Sequence, residues 1–258
     1  MTESGCCSGN LYRIGARENF LGETWHPGGM VLSSRVGQQI GAHDSDLILD
    51  VGCGVGTTSR LLSEQFGCRV VGMDVSSANA GDALRRSKGN DRVSFLAGDG
   101  HGIPASDKSF DGAVLECVLS TFQDKRAAAR ELARILKERG RLGMSDVIVE
   151  GEIPEELRSP LVDAFCVGGA LSSSEYRALL EQTGFRFVGV EKRKQDTLDF
   201  LEQIRRQLFV ARMLVGVHKL ELDSQDLDYA GRLLSLAKEA VKEDRLGYVV
   251  LIAVKDGQ

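Results

Sequence analysis

Residues 47–56 read Leu-Ile-Leu-Asp-Val-Gly-Cys-Gly-Val-Gly, and no other stretch narrows the possible folds as much. Apolar residues at 47, 48, 49 and 51 form a strand, glycines at 52, 54 and 56 turn the chain sharply, and a helical pattern follows over 57–66. Such a turn lets the backbone approach a ligand, and the free amides at the start of the following helix attract an anionic group. The same texture continues downstream. Apolar runs at Leu47–Val51, Arg69–Asp74, Val93–Ala97, Gly112–Cys117 and Arg141–Val149 alternate with helical patterns over 57–66, 77–88 and 123–137, the signature of parallel strands with crossover helices.

Before the glycine turn lies a capping segment, 1–46, holding the dense stretch Asn19–Gly29 with Trp25 and His26, and a short helix near Leu32–Ile40. After the fifth strand the sequence predicts a lid around Ile153–Phe165, a serine-capped helix over 172–183, a strand at Phe185–Lys192 and a last strand at Gly247–Val254. Two amphipathic patterns, Leu198 to Ala211 and Leu227 to Val241, form a helical insertion at about 196–244 that covers the sheet, a substrate or an interface between copies. The expected fold is a Rossmann-like, mostly parallel seven-stranded α/β sheet with helices on both faces, spanning 47–258.

The net charge of -5 offers no basic footprint for nucleic acid, and no apolar run approaches the ~20 residues needed to span a membrane. Small molecules are therefore the expected partners, and the cytoplasm the expected location. Cysteines at 6, 7, 53, 68, 117 and 166 are scattered rather than arranged as a disulfide framework, and read as reduced thiols.

Three acids stand at successive strand ends. Asp50 sits just ahead of the glycines, where it can meet a positively charged amino group, and Asp74 closes the second strand, where it can accept from ribose hydroxyls. Asp99, in Gly98-Asp99-Gly100-His101, follows the third strand and can accept from an adenine amino group. A glycine turn alone would also suit a nicotinamide dinucleotide. The ordered set, with the "FDGAVLECVLSTF" strand and the "ELARILKERGRLGMSDV" helix and strand, resembles the class I S-adenosylmethionine-dependent methyltransferases. That resemblance implies that Asp50, Gly52, Gly54 and Gly56 hold the methionine end, Asp74 the ribose, and Asp99 with Gly100 and His101 the adenine; Glu116 also falls beside the cofactor. One departure is Glu138-Arg139-Gly140 in place of the commoner proline–glycine turn.

Within that superfamily, Glu116-Cys117-Val118 with its Asp124-Lys125 pair and Cys166-Val-Gly-Gly-Ala-Leu171 resemble the arsenite methyltransferases. By this resemblance Cys117 and Cys166 fall on arsenic-binding thiols, which suit soft trivalent arsenic. Cysteines that the family carries just upstream of the glycine turn are missing here, leaving Cys6 or Cys7 as a third thiolate. Alternatively, Cys117 and Cys166 are packing residues, and His26 or Glu116 orients a small organic oxygen, nitrogen, carbon or sulfur acceptor. A protein that binds cofactor or metalloid without turnover is the third reading. Cys53 and Cys68 read as core.

Overall fold

The computed structural model describes residues 25–158, 166–216 and 224–257; Cys6, Cys7 and most of the expected lid lie outside them. In chain order it comprises α1 (Gly29–Gln39), β1 (Leu47–Val51), α2 (Thr57–Phe66), β2 (Arg69–Asp74), α3 (Ser77–Arg86), β3 (Val93–Ala97), β4 (Phe110–Glu116), α4 (Lys125–Ile135) and β5 (Leu136–Val149). Then come α5 (Ser173–Glu181), β6 (Phe185–Lys192), α6 (Lys194–Gly216), α7 (Ser224–Lys242) and β7 (Leu246–Lys255). The strands form one seven-stranded sheet in the order β3-β2-β1-β4-β5-β7-β6. β1 to β5 pair in parallel, and β7 is antiparallel to both its neighbours. The order reverses between β1 and β4, so their carboxyl ends open the crevice in which such sheets bind ligands.

Both faces of the sheet are covered. Leu32 and Val36 of α1, Ile40 just after it and Leu62 of α2 pack on Ile48, Val70 and Val114, while Leu132 and Ile135 of α4 and Tyr176 and Leu180 of α5 pack on Leu49, Leu115 and Met144. Each of these side chains is at most 2% exposed. Full burial of such a side chain stabilises the fold by about 1.5–3 kcal/mol. A third cluster sits at the carboxyl edge: Leu233, Ala237, Ala240 and Val241 of α7 cover Val149, Leu157, Val167 and Leu246, with Leu198 and Leu201 of α6 beside them. The insertion before the last strand is thus a helical hairpin on the side of the sheet where the crevice opens.

Boundaries differ from the sequence reading in two informative places. β4 stops at Glu116, because Cys117 leaves the strand with φ 55, in the left-handed region. α4 ends at Ile135, and β5 begins immediately at Leu136; the Glu138-Arg139-Gly140 turn is absorbed as a strand irregularity, with pairing jumping from Phe110↔Leu136 to Gly112↔Arg141 and Arg139 at φ 60. Apolar periodicity runs across such a junction and does not mark it.

Candidate functional site

The glycine turn is held from β2. The amides of Gly52 and Cys53 both donate to the Met73 carbonyl, at 2.7 and 3.0 Å, and the Gly54 amide donates to Asp74 Oδ2 at 2.8 Å. Gly52 has φ 70, and a Cβ there would stand 2.4 Å from Val118 Cγ2, so any side chain collides with the segment after β4. Gly54, at φ 53, meets nothing within 4 Å, which leaves an open cradle beside it.

Asp74 also accepts from the Ser76 amide (2.9 Å) and Asn79 Nδ2 (3.3 Å). Three donors leave a carboxylate room for one more, as a ribose hydroxyl requires. Asp99 is exposed, and its Oδ1 accepts from the His101 amide and Nδ1, at 2.9 and 2.8 Å; these bonds hold its carboxyl below the usual range. The His101 ring stands edge-on to Phe122, 4.9 Å between centroids, and a Cβ on Gly100 would lie 2.4 Å from Phe122. Gly100, His101 and Phe122 therefore pack tightly beside Asp99, bringing two rings, edge to face, to the place where a planar base would stack.

Asp50 is 3% exposed and accepts from Ser59 Oγ at 2.5 Å; burial raises its pKa from the ordinary 3.8 to about 7. The folded protein thus binds this proton more tightly than the unfolded chain does. Its contribution to stability is complete below pH 3.8 and is lost as pH rises through about 7. Asp50→Asn removes that titration while keeping an acceptor for Ser59. In urea unfolding, the variant's stability relative to the parent should rise between about pH 4 and about pH 7 and level off above that. A constant difference would contradict the assignment.

At the end of β4 lies a buried polar network that joins five elements, β4, α1, α2, β5 and β7. Glu116 Oε2 accepts from Thr58 Oγ1 (2.5 Å) on α2 and Ser33 Oγ (2.9 Å) on α1, with His26 Nε2 at 3.6 Å. Glu116 Oε1 is buried without a partner. His26 is itself buried; its Nδ1 lies 3.1 Å from the Pro27 carbonyl and its Nε2 3.4 Å from Ser33 Oγ. Its ring stacks parallel to Tyr248, with centroids 6.4 Å apart. Tyr248 Oη contacts Ser145 Oγ at 2.9 Å and receives a 3.3 Å contact from Cys117 Sγ. Cys166 also has positive φ, 63, and its Sγ lies 3.4 Å from the Cys117 carbonyl. The two cysteine segments therefore adjoin, while the Cys117 thiol turns toward Tyr248. Among the described residues no group of three His, Cys, Asp or Glu side chains is arranged to hold a metal ion. Cys53 and Cys68 are buried, and burial pushes the Cys68 thiol up to about 11, consistent with packing roles.

A family model described as a methyltransferase domain matches residues 49–144, the glycine turn and all three acids included. The chain carries a class I S-adenosylmethionine-dependent methyltransferase domain. Methyltransferase GfsG of Streptomyces halstedii is 35% identical over 144 residues, 53% of this chain and 51% of that protein. The O-methyltransferase cnsE of Penicillium expansum is 27% identical over 86% of this chain and 76% of its own length. An arsenite methyltransferase of Aquipseudomonas alcaligenes is 33% identical over 55% of this chain and 44% of that enzyme. The match thus spans about half the length of GfsG and less of the arsenite enzyme. Among solved structures, phosphoethanolamine N-methyltransferase 2 of Haemonchus contortus in complex with S-adenosyl-L-methionine superimposes with a TM-score of 0.80 at 20% identity, over 97% of this chain and 59% of that one.

S-adenosylmethionine is the cofactor of this methyltransferase domain, and the residues present fit it. The cradle beside Gly54, the spare acceptor capacity of Asp74 and the exposed Asp99 line the carboxyl ends of adjacent strands. Sequence reading missed Ser33, Thr58, Ser145 and Tyr248: Ser33 adjoins Ser34 and Thr58 lies between Thr57 and Ser59, so residue type does not single them out, while Ser145 and Tyr248 sit inside apolar strands. A legible hint was the polar pair Ser145-Asp146 inside the apolar strand β5, where both residues are fully buried.

Proposed function

We propose that this chain transfers the methyl group of S-adenosylmethionine to a small-molecule acceptor bound between the β4 end and the α6–α7 hairpin. The observation that carries the reading is the set of carboxylates, Asp50, Asp74, Asp99 and Glu116, around a glycine turn whose cradle is open. When bound, the cofactor supplies a methyl group on a positively charged sulfur, already activated toward a nucleophile. The protein's task is then alignment and exclusion of water. Asp74 and Asp99 fix the nucleoside, the glycine turn holds the methionine end, and the apolar cluster around Leu233 and Val167 shields the acceptor side. No helix among the described residues is long and apolar enough to cross a membrane.

A small organic acceptor, with an oxygen nucleophile foremost, is the first reading, supported by several relatives named as O-methyltransferases. Trivalent arsenic is the second, supported by the apposition of Cys166 Sγ to the Cys117 carbonyl and by relatives named as arsenite methyltransferases. Transfer from methyl-labelled S-adenosylmethionine, assayed with a hydroxylated aromatic panel and with arsenite plus thiol, separates them. The first reading expects labelled organic product that persists in Cys117→Ser and Cys166→Ser. The second expects labelled arsenic and its loss, by about 100-fold or more, in either variant, because removing one thiolate leaves the soft metalloid without a fixed position in line with the methyl group. Cofactor binding without label in any product would contradict both.

A further inference from the structure

Among the described acids of the site, Glu116 carries a buried carboxylate oxygen left without a hydrogen-bond partner. Val51 pairs with Leu115, so Glu116, the next residue, stands alongside Gly52 at the mouth of the turn. Its carboxylate is held on one side only: Thr58, in the first turn of the helix that follows the glycines, and Ser33, on α1, both donate to Oε2. Oε1 has no partner, and the side chain is 8% exposed. Leaving a carboxylate oxygen buried and bare costs free energy that a positively charged donor recovers, and burial strengthens that attraction. Among the described residues His26 Nε2 also approaches Glu116, at 3.6 Å, and it faces Oε2.

We propose that Glu116 Oε1 receives the α-ammonium of the cofactor's methionine moiety, which makes Glu116 the residue that selects for a free α-amino group. This rests on the cofactor reading above. Asp50 is the alternative anion, but it lies deeper, is bonded to Ser59, and is driven toward its neutral form by burial. Glu116 stays at the turn's rim, with two hydroxyls fixing the orientation of its carboxylate. Ser33 and Thr58 are then positioning residues, and through Ser33 the seating of α1 is linked to the methionine end of the site.

Calorimetric binding of S-adenosylhomocysteine, and of its analogue with hydrogen in place of the α-amino group, tests the assignment without turnover or any acceptor. The parent should bind the analogue about 10–100-fold more weakly, the range for a hydrogen bond to a charged group. Glu116→Gln, which keeps an oxygen for Thr58 and Ser33, should bind S-adenosylhomocysteine more weakly by a similar factor and should bind both ligands alike. Losses that multiply when variant and analogue are combined overturn the proposal, as does parent-like affinity in Glu116→Gln. Equal affinity of the parent for both ligands overturns it whether or not the variant folds, which its unfolding temperature reports. If the parent binds neither ligand, the cofactor reading falls and takes this assignment with it.

Discussion

Gly52→Ala should bind S-adenosylhomocysteine at least tenfold more weakly and unfold with about 2–4 kcal/mol less stability. Two costs add. An alanine at φ 70 occupies the left-handed region at about 1–2 kcal/mol, and its Cβ lies 2.4 Å from Val118 Cγ2. Val118 cannot retreat freely, because Leu119 and Ser120 behind it are fully buried or nearly so. Displacing Val118 also moves Glu116 and Cys117, so the site shifts along with the fold. Denaturant unfolding and calorimetry measure the two losses separately. An alanine variant that keeps parental stability and affinity would mean the turn does not approach the β4 end as closely as described.

Asp146→Ala should cost about 2–4 kcal/mol, although no ligand is expected to touch Asp146. Its carboxylate accepts from the Ser120 amide (2.9 Å), Ser120 Oγ (2.6 Å) and the Val147 amide (2.8 Å), and it is wholly buried. Alanine strands the Ser120 amide and hydroxyl in the interior and frees the short helical turn Leu119–Thr121, which leads into Phe122 and the rings beside Asp99. Cofactor affinity should fall with stability. Burial also raises the Asp146 pKa to about 6, so Asp146→Asn, an acceptor without the charge, should retain much more stability than alanine. Equal losses in the two variants, measured by urea unfolding at neutral pH, would contradict this account.

The cofactor half of the site was legible because it is local. The glycine turn with Asp50 is one continuous run, and Asp74 and Asp99 each end an apolar strand, so strand endings alone bring the three together. The rest depends on the order β1-β4-β5-β7, which places Glu116, Ser145 and Tyr248 side by side although they come from distant parts of the chain. No local period encodes that order. Cys117 illustrates the limit: its place beside Cys166 followed from matching flanks, whereas the direction of its thiol, toward Tyr248, depends on the positive φ that ends β4. Residue type gives no warning of such a conformation at a cysteine. His26 was singled out as an acceptor-side group, and it lies beside Glu116 with both ring nitrogens near protein oxygens, in a network that ties α1 to the β4 end.

The central claim, a glycine turn with three strand-end acids built for S-adenosylmethionine, is tested most directly by thermal unfolding of the unmodified protein with S-adenosylhomocysteine or with a nicotinamide dinucleotide. At a concentration about 1,000 times its dissociation constant, a ligand specific to the native state adds about 4 kcal/mol, or a rise of roughly 8–16 °C for a chain of this size. Such a rise with S-adenosylhomocysteine, and none with the dinucleotide, is the predicted result. Protection by the dinucleotide alone would contradict the account.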